Sequence, residues 1–286
     1  MGKIKIVTDS NSGISQVESK ELDIFVVPMP FTIDAEEFLE DITISRENFY
    51  NCLLKDADVK TSQPSKFYLE ELFKDLLKEY DEIVYIPMSK GLSGAYQNAN
   101  DLSNNFNGRI FVVDNERISV TQKYSVLQAK QLANQGKSAL QIKTILEQNA
   151  KKQSIYIMLS TLKYLKKGGR ISATAATLAN VLKIKPILFS DGGSFDKFAM
   201  ALNTAQAKKK MIEQVKKDIN QKFLDEYKDG KLVISVAHTQ NLNEAQKFKD
   251  EIIKEFPNIK FEYVDNLSLS VACHIGEGAL AIAICS

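Results

Sequence analysis

One segment of the sequence has residue types that suit the binding of an anion. Residues 91–95 read Gly-Leu-Ser-Gly-Ala, follow a β-rich run at 83–86 and precede a predicted helix. A glycine-rich turn between a strand and a helix directs backbone N–H groups and the positive helix end at one point, here Ser93. A plain helix cap has the same pattern. The segment therefore predicts an anion site at Ser93 or a simple cap, and Gly91 and Gly94 would allow close approach of a ligand.

The same segment resembles the nucleophile elbow of serine hydrolases, G-x-S-x-G, with Ala95 in place of the last glycine. A hydrolase of this kind needs a histidine as base, and the sequence has two, His238 and His274. His238 follows an apolar run, where a loop cap is the simpler interpretation. His274 lies among small residues and glycines, which permit close approach of a ligand. A serine hydrolase with Ser93 as nucleophile and His238 or His274 as base is therefore an alternative function.

Three further polar segments are candidates for the same site. Residues 61–65, Thr-Ser-Gln-Pro-Ser, place three hydroxyls and an amide before a helix, which is also the pattern of simple capping. Residues 8–10, Thr-Asp-Ser, follow the first predicted strand, at the edge where parallel sheets place their sites. Arg170 follows paired glycines, and its planar guanidinium forms bidentate contacts that lysine cannot copy. Nucleotide and metal motifs are absent, so we expect no metal and no cofactor.

Composition excludes several classes of function. The 286 residues carry 37 basic and 36 acidic side chains, and a formal net charge of +1 gives no basic excess for a nucleic acid partner. Three scattered cysteines and no export-signal pattern favour a reduced cytoplasm. The apolar end, 267–285, is interrupted by His274 and Glu277, so we expect no stable membrane insertion.

The elements that must position these residues follow an α/β pattern in the first half of the chain. Short β-rich runs alternate with amphipathic helical stretches, which predicts a mainly parallel sheet with flanking helices. One predicted helix covers 65–80, with Pro64 in its first turn. The predicted strands cover 4–7, 24–27, 83–86, 110–113 and 155–159.

The pattern changes near residue 155. Two β runs on either side of Asp191-Gly-Gly predict a hairpin, and antiparallel pairing follows from it. We therefore predict two domains: 1–155, with a mainly parallel sheet, and 156–286, an α/β domain with a mixed or antiparallel sheet. The other elements predicted for the second domain are helices at 172–182, 204–227 and 243–256, strands at 232–237 and 259–264, and a buried helix and final strand within 267–285.

Taken in order, these segments resemble the bacterial DegV family over nearly the whole chain. The resemblance implies a two-domain α/β protein with one long-chain fatty acid in a tunnel between the domains, and residues 175–182 and 279–284 are candidate tunnel walls. The matching stretches are VTDS at 7–10, TSQPS at 61–65, GLSGAYQN at 91–98, LKYLKKGGRI at 162–171, LKIKPIL at 182–188 with Asp191-Gly192, and HIGEG at 274–278.

The resemblance also implies roles for particular residues. Thr61, Ser93 and His274 match the head-group positions of the family and would bind the fatty acid carboxylate. Arg170 falls on the position associated with contact to an ATP-dependent fatty acid kinase, which would convert the bound carboxylate into an acyl phosphate for phospholipid synthesis. The chain would then be a non-catalytic, lipid-binding subunit. Supporting residues of the pocket would be Ser62, Gly91 and Gly94.

The sequence departs from the family pattern in three places. In the last motif, Ile275 and Glu277 replace a hydroxyl residue and a proline. Asn115 replaces a serine, and the glycine-rich stretch that normally comes after that serine is missing. No arginine follows Arg170. These changes affect the loop of His274 and the expected contact with a kinase. We therefore also retain a third function, the binding of another apolar carboxylic acid or lipid without a kinase partner.

Overall fold

The structure is a computed structural model that describes residues 2–170, 172 and 184–286, without the side chains of 166–168. These residues form two compact units. The N-terminal unit extends to Lys151 and includes Ser268–Ser270, and the C-terminal unit comprises Lys152–Leu267 and Val271–Ser286. The sequence predicted a division after residue 155, inside what the structure shows to be a strand. The predicted helix at 172–182 and tunnel wall at 175–182 lie outside the described residues, except for Ser172.

The N-terminal unit alternates strands and helices. In chain order, its elements are β1 (Ile4–Asp9), a 3-10 turn (Ser10–Ser12), α1 (Gln16–Glu21), β2 (Phe25–Val27), β3 (Pro30–Ile33), β4 (Glu36–Leu39), α2 (Arg46–Leu54), β5 (Val59–Thr61), α3 (Lys66–Leu76), β6 (Glu82–Ile86), α4 (Ala95–Ser103), a second 3-10 turn (Asn104–Phe106), β7 (Ile110–Val112), α5 (Ser119–Asn134) and α6 (Ala139–Gln148).

A parallel sheet with the strand order β2-β1-β6-β7 forms the centre of this unit, which confirms the predicted fold class. Neighbouring residues along β1 point to opposite faces: Ile6 packs in a cluster with α5 and α6, and Val7 packs in a cluster with α3 and α4. Burial of both faces explains why these strands are continuous apolar runs. The polar residues that follow β1 and β6 lie at the carboxyl edge of the sheet.

A second, antiparallel sheet of this unit, β4-β3-β5, was not predicted. Its strands have three or four residues, too few for a sequence periodicity to be detected. The prediction that Pro64 lies in the first turn of α3 was wrong. Ser65 is the N-cap, because its backbone is extended and its hydroxyl accepts the N–H of Tyr68 at 3.1 Å, so Pro64 precedes the cap.

The C-terminal unit is built on a larger sheet. In chain order, its elements are β8 (Gln153–Met158), α7 (Lys163–Gly168), β9 (Lys185–Ser190), β10 (Asp196–Ala201), α8 (Thr204–Gln221), α9 (Leu224–Lys228), β11 (Val233–His238), α10 (Leu242–Glu255), β12 (Lys260–Asn266), α11 (Leu269–Ile275), whose first two residues group with the N-terminal unit, and β13 (Leu280–Cys285).

The sheet has the order β10-β9-β8-β13-β11-β12 and is mixed, since β11 and β12 are parallel and the other pairs are antiparallel. The predicted hairpin is confirmed as β9 and β10. The single helix predicted at 204–227 is two helices, α8 and α9. The helix breaks at Lys222 and Phe223, where the Phe223 ring is buried with the apolar side chains of α8 and α10.

Candidate functional site

Residues 61–65 are fixed from both sides within the N-terminal unit. Thr61 is half-buried and is the last residue of β5, paired with β3. The N–H of Ser62 donates to the carbonyl of Pro30, the first residue of β3, at 3.1 Å, and the Ser62 side chain is exposed. Pro64 is buried, and its carbonyl accepts a hydrogen bond from Nδ2 of Asn98 on α4 at 2.9 Å. The backbone that carries the predicted head-group hydroxyl of Thr61 is thus tied to a strand and to a helix.

The glycine turn lies between β6 and α4, as predicted. Ser93 is half-buried, its N–H donates to the carbonyl of Ser89 at 3.1 Å, and its Oγ accepts the N–H of Ala95 at 3.2 Å. Gly94 is the N-cap of α4 and offers no side-chain acceptor to the first turn. The positive end of α4 therefore adjoins Ser93, an arrangement that favours an anion.

The structure brings the segments of Thr61 and Ser93 together. A methyl group added at Gly94 would lie 2.2 Å from Oε1 of Gln63, so the side chain of Gln63 occupies the space that glycine leaves open. The bond from Asn98 to the carbonyl of Pro64 joins the same two segments. Gln63 and Asn98 stand inside the stretches that matched the family, but single amide residues carry no periodicity, and the sequence assigned them no role.

In the third polar segment of this unit, residues 8–10, the acidic residue Asp9 has a structural role. Asp9 is fully buried, and its carboxylate accepts the N–H of Met88 at 2.8 Å, the N–H of Asn11 at 3.1 Å and Nε2 of Gln122 at 3.1 Å. Burial raises the pKa of Asp9 above its usual value, although these donors act in the opposite direction. The side chain thus joins β1 to α5 and to the loop after β6.

In the C-terminal unit, His274 lies on α11 and a tightly packed loop follows it. Gly276 and Gly278 have φ angles of +73° and +75°, in the left-handed region. A Cβ at Gly276 would lie 2.4 Å from the ring of Tyr164 on α7, and a Cβ at Gly278 would lie 2.5 Å from Oγ of Ser160. Both positions therefore require glycine, because the backbone is left-handed and a Cβ would overlap with a neighbouring side chain. The sequence did not indicate the contact with Tyr164.

His274 is electrically neutral at pH 7. Burial lowers its pKa to about 4, and the positive charge of Arg170 acts in the same direction. Arg170 itself is exposed and directly follows Gly169, the left-handed C-cap of α7. A neutral imidazole offers one donor and one acceptor, so His274 can orient a carboxylate by a hydrogen bond without forming an ion pair.

The local geometry does not favour the serine hydrolase. His238 is 2% exposed at the end of β11, and its Nδ1 accepts the N–H of Asn241 at 3.3 Å. Ser93 does not adopt the positive φ angle that the described backbone shows at other non-glycine residues, so the strained turn of a nucleophile elbow is missing at this serine.

Within residues 2–170, 172 and 184–286, no group of three or more His, Cys, Asp or Glu side chains could hold a metal ion. No helix in this part of the chain is long and apolar enough to cross a membrane. Cys52, Cys273 and Cys285 form no disulfide.

The chain is similar to known proteins over its whole length. The model of a family described as "Uncharacterised protein, DegV family" matches residues 3–286. A DegV domain-containing protein of Staphylococcus aureus (strain N315) is 30% identical over 289 residues, which cover 99% of each chain. Protein DegV of Bacillus subtilis (strain 168) is 29% identical over 287 residues and 99% of each chain.

Solved structures share the fold. The crystal structure of DegV from Bacillus subtilis, described as a fatty acid binding protein, has a TM-score of 0.85 and 28% identity and covers 100% of this chain and 99% of its own. A DegV family protein from Thermus thermophilus, described by its fatty acid binding, has a TM-score of 0.87 and 26% identity over 99% of each chain. With the family match over residues 3–286, these similarities lead to one conclusion: the chain belongs to the DegV family.

Proposed function

We propose that this protein binds one long-chain fatty acid and presents its carboxylate to a partner kinase, which uses ATP to form an acyl phosphate for phospholipid synthesis. The observation that carries the binding step is the full-length similarity to the fatty acid binding protein DegV of Bacillus subtilis, at a TM-score of 0.85. The kinase step is supported by the family resemblance of residues 162–171 and by the exposure of Arg170. Such a subunit acts in the cytoplasm and carries out no catalysis alone.

We assign the carboxylate to the hydroxyls of Thr61 and Ser93 and to the ring of His274, with Ser62, Gly91 and Gly94 in supporting positions. Three local features support this assignment. The segments of Thr61 and Ser93 are joined through Gln63 and Asn98, the positive end of α4 adjoins Ser93, and His274 is neutral. Neutral donors orient a carboxylate without a full salt bridge, which leaves its oxygens nucleophilic toward a phosphoryl group.

The tail dominates the affinity in this proposal. Each buried methylene contributes about 0.8 kcal/mol, so a chain of C16 or C18 supplies on the order of 10 kcal/mol of gross transfer free energy. One hydrogen bond to a charged group contributes about 1.5–3 kcal/mol. Loss of a head-group hydroxyl should therefore weaken binding without abolishing it.

Native mass spectrometry of the freshly purified protein tests the binding step. We expect one fatty acid per chain, released on denaturation and identified by its mass. A protein that is empty and takes up no added C16 or C18 acid contradicts the proposal. Tight binding of a fatty acid without any kinase-dependent acyl phosphate favours the third function, a binder with no kinase partner. Stoichiometric labelling of Ser93 by a fluorophosphonate probe favours the hydrolase.

The assigned hydroxyls are tested by Thr61→Val and Ser93→Ala. We expect each to weaken fatty acid affinity about tenfold, since a hydrogen bond to a carboxylate is lost, and to slow phosphorylation by the kinase. Thr144→Val, at an exposed position of α6, and Ser103→Ala, at the end of α4, are matched controls in the same unit. Titration of a fluorescent fatty acid measures the affinity; unchanged affinity and phosphorylation in both site variants would remove Thr61 and Ser93 from the site.

The kinase contact is tested by Arg170→Ala. Arg170 is exposed and is assigned no contact with the carboxylate, so we expect near-normal fatty acid affinity and a loss of kinase-dependent acyl phosphate of tenfold or more, of the size that a lost bidentate contact produces. Lys197→Ala removes the same charge from an exposed position on β10 and should leave the rate unchanged. Acyl phosphate is measured by trapping with hydroxylamine. A variant that loses fatty acid affinity but keeps the phosphorylation rate of its bound fraction contradicts the assignment.

A further inference from the structure

The first turn of the helix that carries His274 is bound by side chains of the N-terminal unit. Residues Ser268–Ser270 group with that unit, although the chain on either side of them groups with the other. Oε1 of Glu40 accepts the N–H of Leu269 at 2.6 Å. Oδ1 of Asn11 accepts the hydroxyls of Ser268, at 2.9 Å, and of Ser270. Two acceptors of the N-terminal unit thus hold three consecutive residues at the start of α11.

Glu40 is itself held in place. It follows β4, is 1% exposed, and its Oε2 accepts the hydroxyl of Ser10 at 2.8 Å. Nη2 of Arg46 donates to Oε1 of Glu40 at 3.2 Å, and Oγ of Ser10 in turn accepts the N–H of Met29 at 3.2 Å. Three donors, from Ser10, Arg46 and Leu269, satisfy the oxygens of the buried Glu40 carboxyl group. The acceptor for Leu269 therefore has one defined position.

The other end of α11 is fixed within the C-terminal unit. The N–H of Gly278 donates to the carbonyl of Thr239 at 2.8 Å, and its carbonyl accepts Oγ of Ser160 at 3.2 Å. Helix α11 has seven residues, and His274 follows Leu269 by five. Each residue turns a helix by about 100°, so a change at Leu269 that rotates or frays so short a helix also redirects the ring of His274.

We propose that Glu40, together with Asn11, is a positioning residue for the fatty acid head group, because it fixes the first turn of α11 and thereby the direction of the His274 ring. This inference rests on the proposed function, in which His274 binds the carboxylate. Glu40 makes no contact with the ligand in this proposal. It acts through Leu269 and the backbone of α11.

A double-variant cycle tests the proposal. We expect Glu40→Ala to weaken fatty acid affinity three- to tenfold, and the same substitution in a His274→Gln background to change affinity less than twofold, because its effect passes through His274. Glu37→Ala, at an exposed position of β4, removes the same side chain and should have no effect in either background. An equal loss of affinity with and without His274 would overturn the proposal.

A second measurement does not depend on the ligand. In the fatty-acid-free protein, we expect Glu40→Ala to shift the ring resonances of His274 and to speed amide hydrogen exchange at Leu269 and Ser270 more than tenfold, while His238 is unchanged. If Glu40→Ala does not fold, Ser270→Ala removes the bond to Asn11 and the weaker contact with the Ser268 hydroxyl but leaves the bond from Leu269 to Glu40, so we expect smaller changes in the same resonances and exchange rates. Unchanged His274 resonances and exchange would overturn the positioning role. If His274→Gln alone leaves affinity unchanged, the head-group role of His274 fails, and the ring resonances still decide whether Glu40 positions it.

Discussion

His274 is kept neutral by two separate causes, its burial and the charge of Arg170. The first cause belongs to the fold and the second to one exposed side chain. A neutral ring that donates or accepts one hydrogen bond differs from an imidazolium, which would hold a carboxylate by charge and make its oxygens poorer nucleophiles. Arg170 therefore acts electrostatically on His274, the histidine of the proposed head-group site, in addition to the kinase contact that the resemblance implies for it.

The electrostatic effect of Arg170 predicts a measurable change at His274. In Arg170→Ala, the pKa of His274 should rise from about 4, because a neighbouring positive charge is removed, but stay below its ordinary value of 6.5, because burial remains. Titration of the ring resonances by NMR measures this pKa, and Lys197→Ala should not change it. An identical His274 pKa in wild type and Arg170→Ala would show that burial alone keeps the ring neutral.

At the scale of the elements, the loop after α11 depends on glycine for its conformation. Gly276 and Gly230 have φ angles of +73° and +65°, but only Gly276 has a close neighbour, the ring of Tyr164, since no atom lies within 4 Å of a Cβ at Gly230. The two positions belong to the same unit. They therefore separate the cost of a left-handed backbone from the cost of a steric overlap.

We expect Gly230→Ala to lower the free energy of unfolding by about 1 kcal/mol, the cost of a left-handed alanine. Gly276→Ala should cost that amount plus about 1–3 kcal/mol, because Tyr164 or the loop must move. Urea denaturation followed by far-UV circular dichroism measures both values. Equal losses in the two variants would mean that the Tyr164 ring moves aside without cost, and that the loop of His274 is not held by α7.

For the molecule as a whole, Glu40 and His274 make stability depend on pH in opposite directions. Burial raises the pKa of Glu40 to about 7 from an ordinary 4.5, against the effect of Arg46 and of its hydrogen bonds. Folding therefore favours neutral Glu40. The contribution of Glu40 to the free energy of unfolding is complete below pH 4.5 and is lost as the pH rises through 7. Burial lowers the pKa of His274 to about 4, so folding favours the neutral ring. Its contribution is complete above pH 6.5 and is lost as the pH falls through 4.

Single variants should separate these two contributions. Between pH 4.5 and 7, the free energy of unfolding of the wild type minus that of Glu40→Gln should fall with rising pH. The corresponding difference for His274→Gln should rise with pH between 4 and 6.5. Each of the two differences should change by up to about 3 kcal/mol. Urea denaturation at half-unit steps of pH measures both differences. A flat difference for Glu40→Gln would show that Glu40 is ionised throughout, and a flat one for His274→Gln would show that the ring titrates normally.

The sequence by itself determined the features that depend on local order. Alternation of apolar runs and helical stripes predicts the parallel strands β1, β2, β6 and β7, and the Asp191-Gly-Gly turn predicts the hairpin of β9 and β10, because hydrophobic period and turn residues act over a few positions. The ordered motifs, through their resemblance to a family, also identified Thr61, Ser93 and His274 as candidates. Spacing alone left Ser93 open between an anion site, a cap and a nucleophile.

Only the tertiary structure decided how these residues are supported. Gln63 fills the space beside Gly94, Tyr164 packs on Gly276, and Glu40 binds the backbone of Leu269, 229 residues further along the chain. Contacts of this kind have no periodicity, since they depend on which surfaces the folded chain brings together. The same holds for the neutral state of His274 and for the short strands of β4-β3-β5, because burial and long-range pairing exist only once the chain has folded.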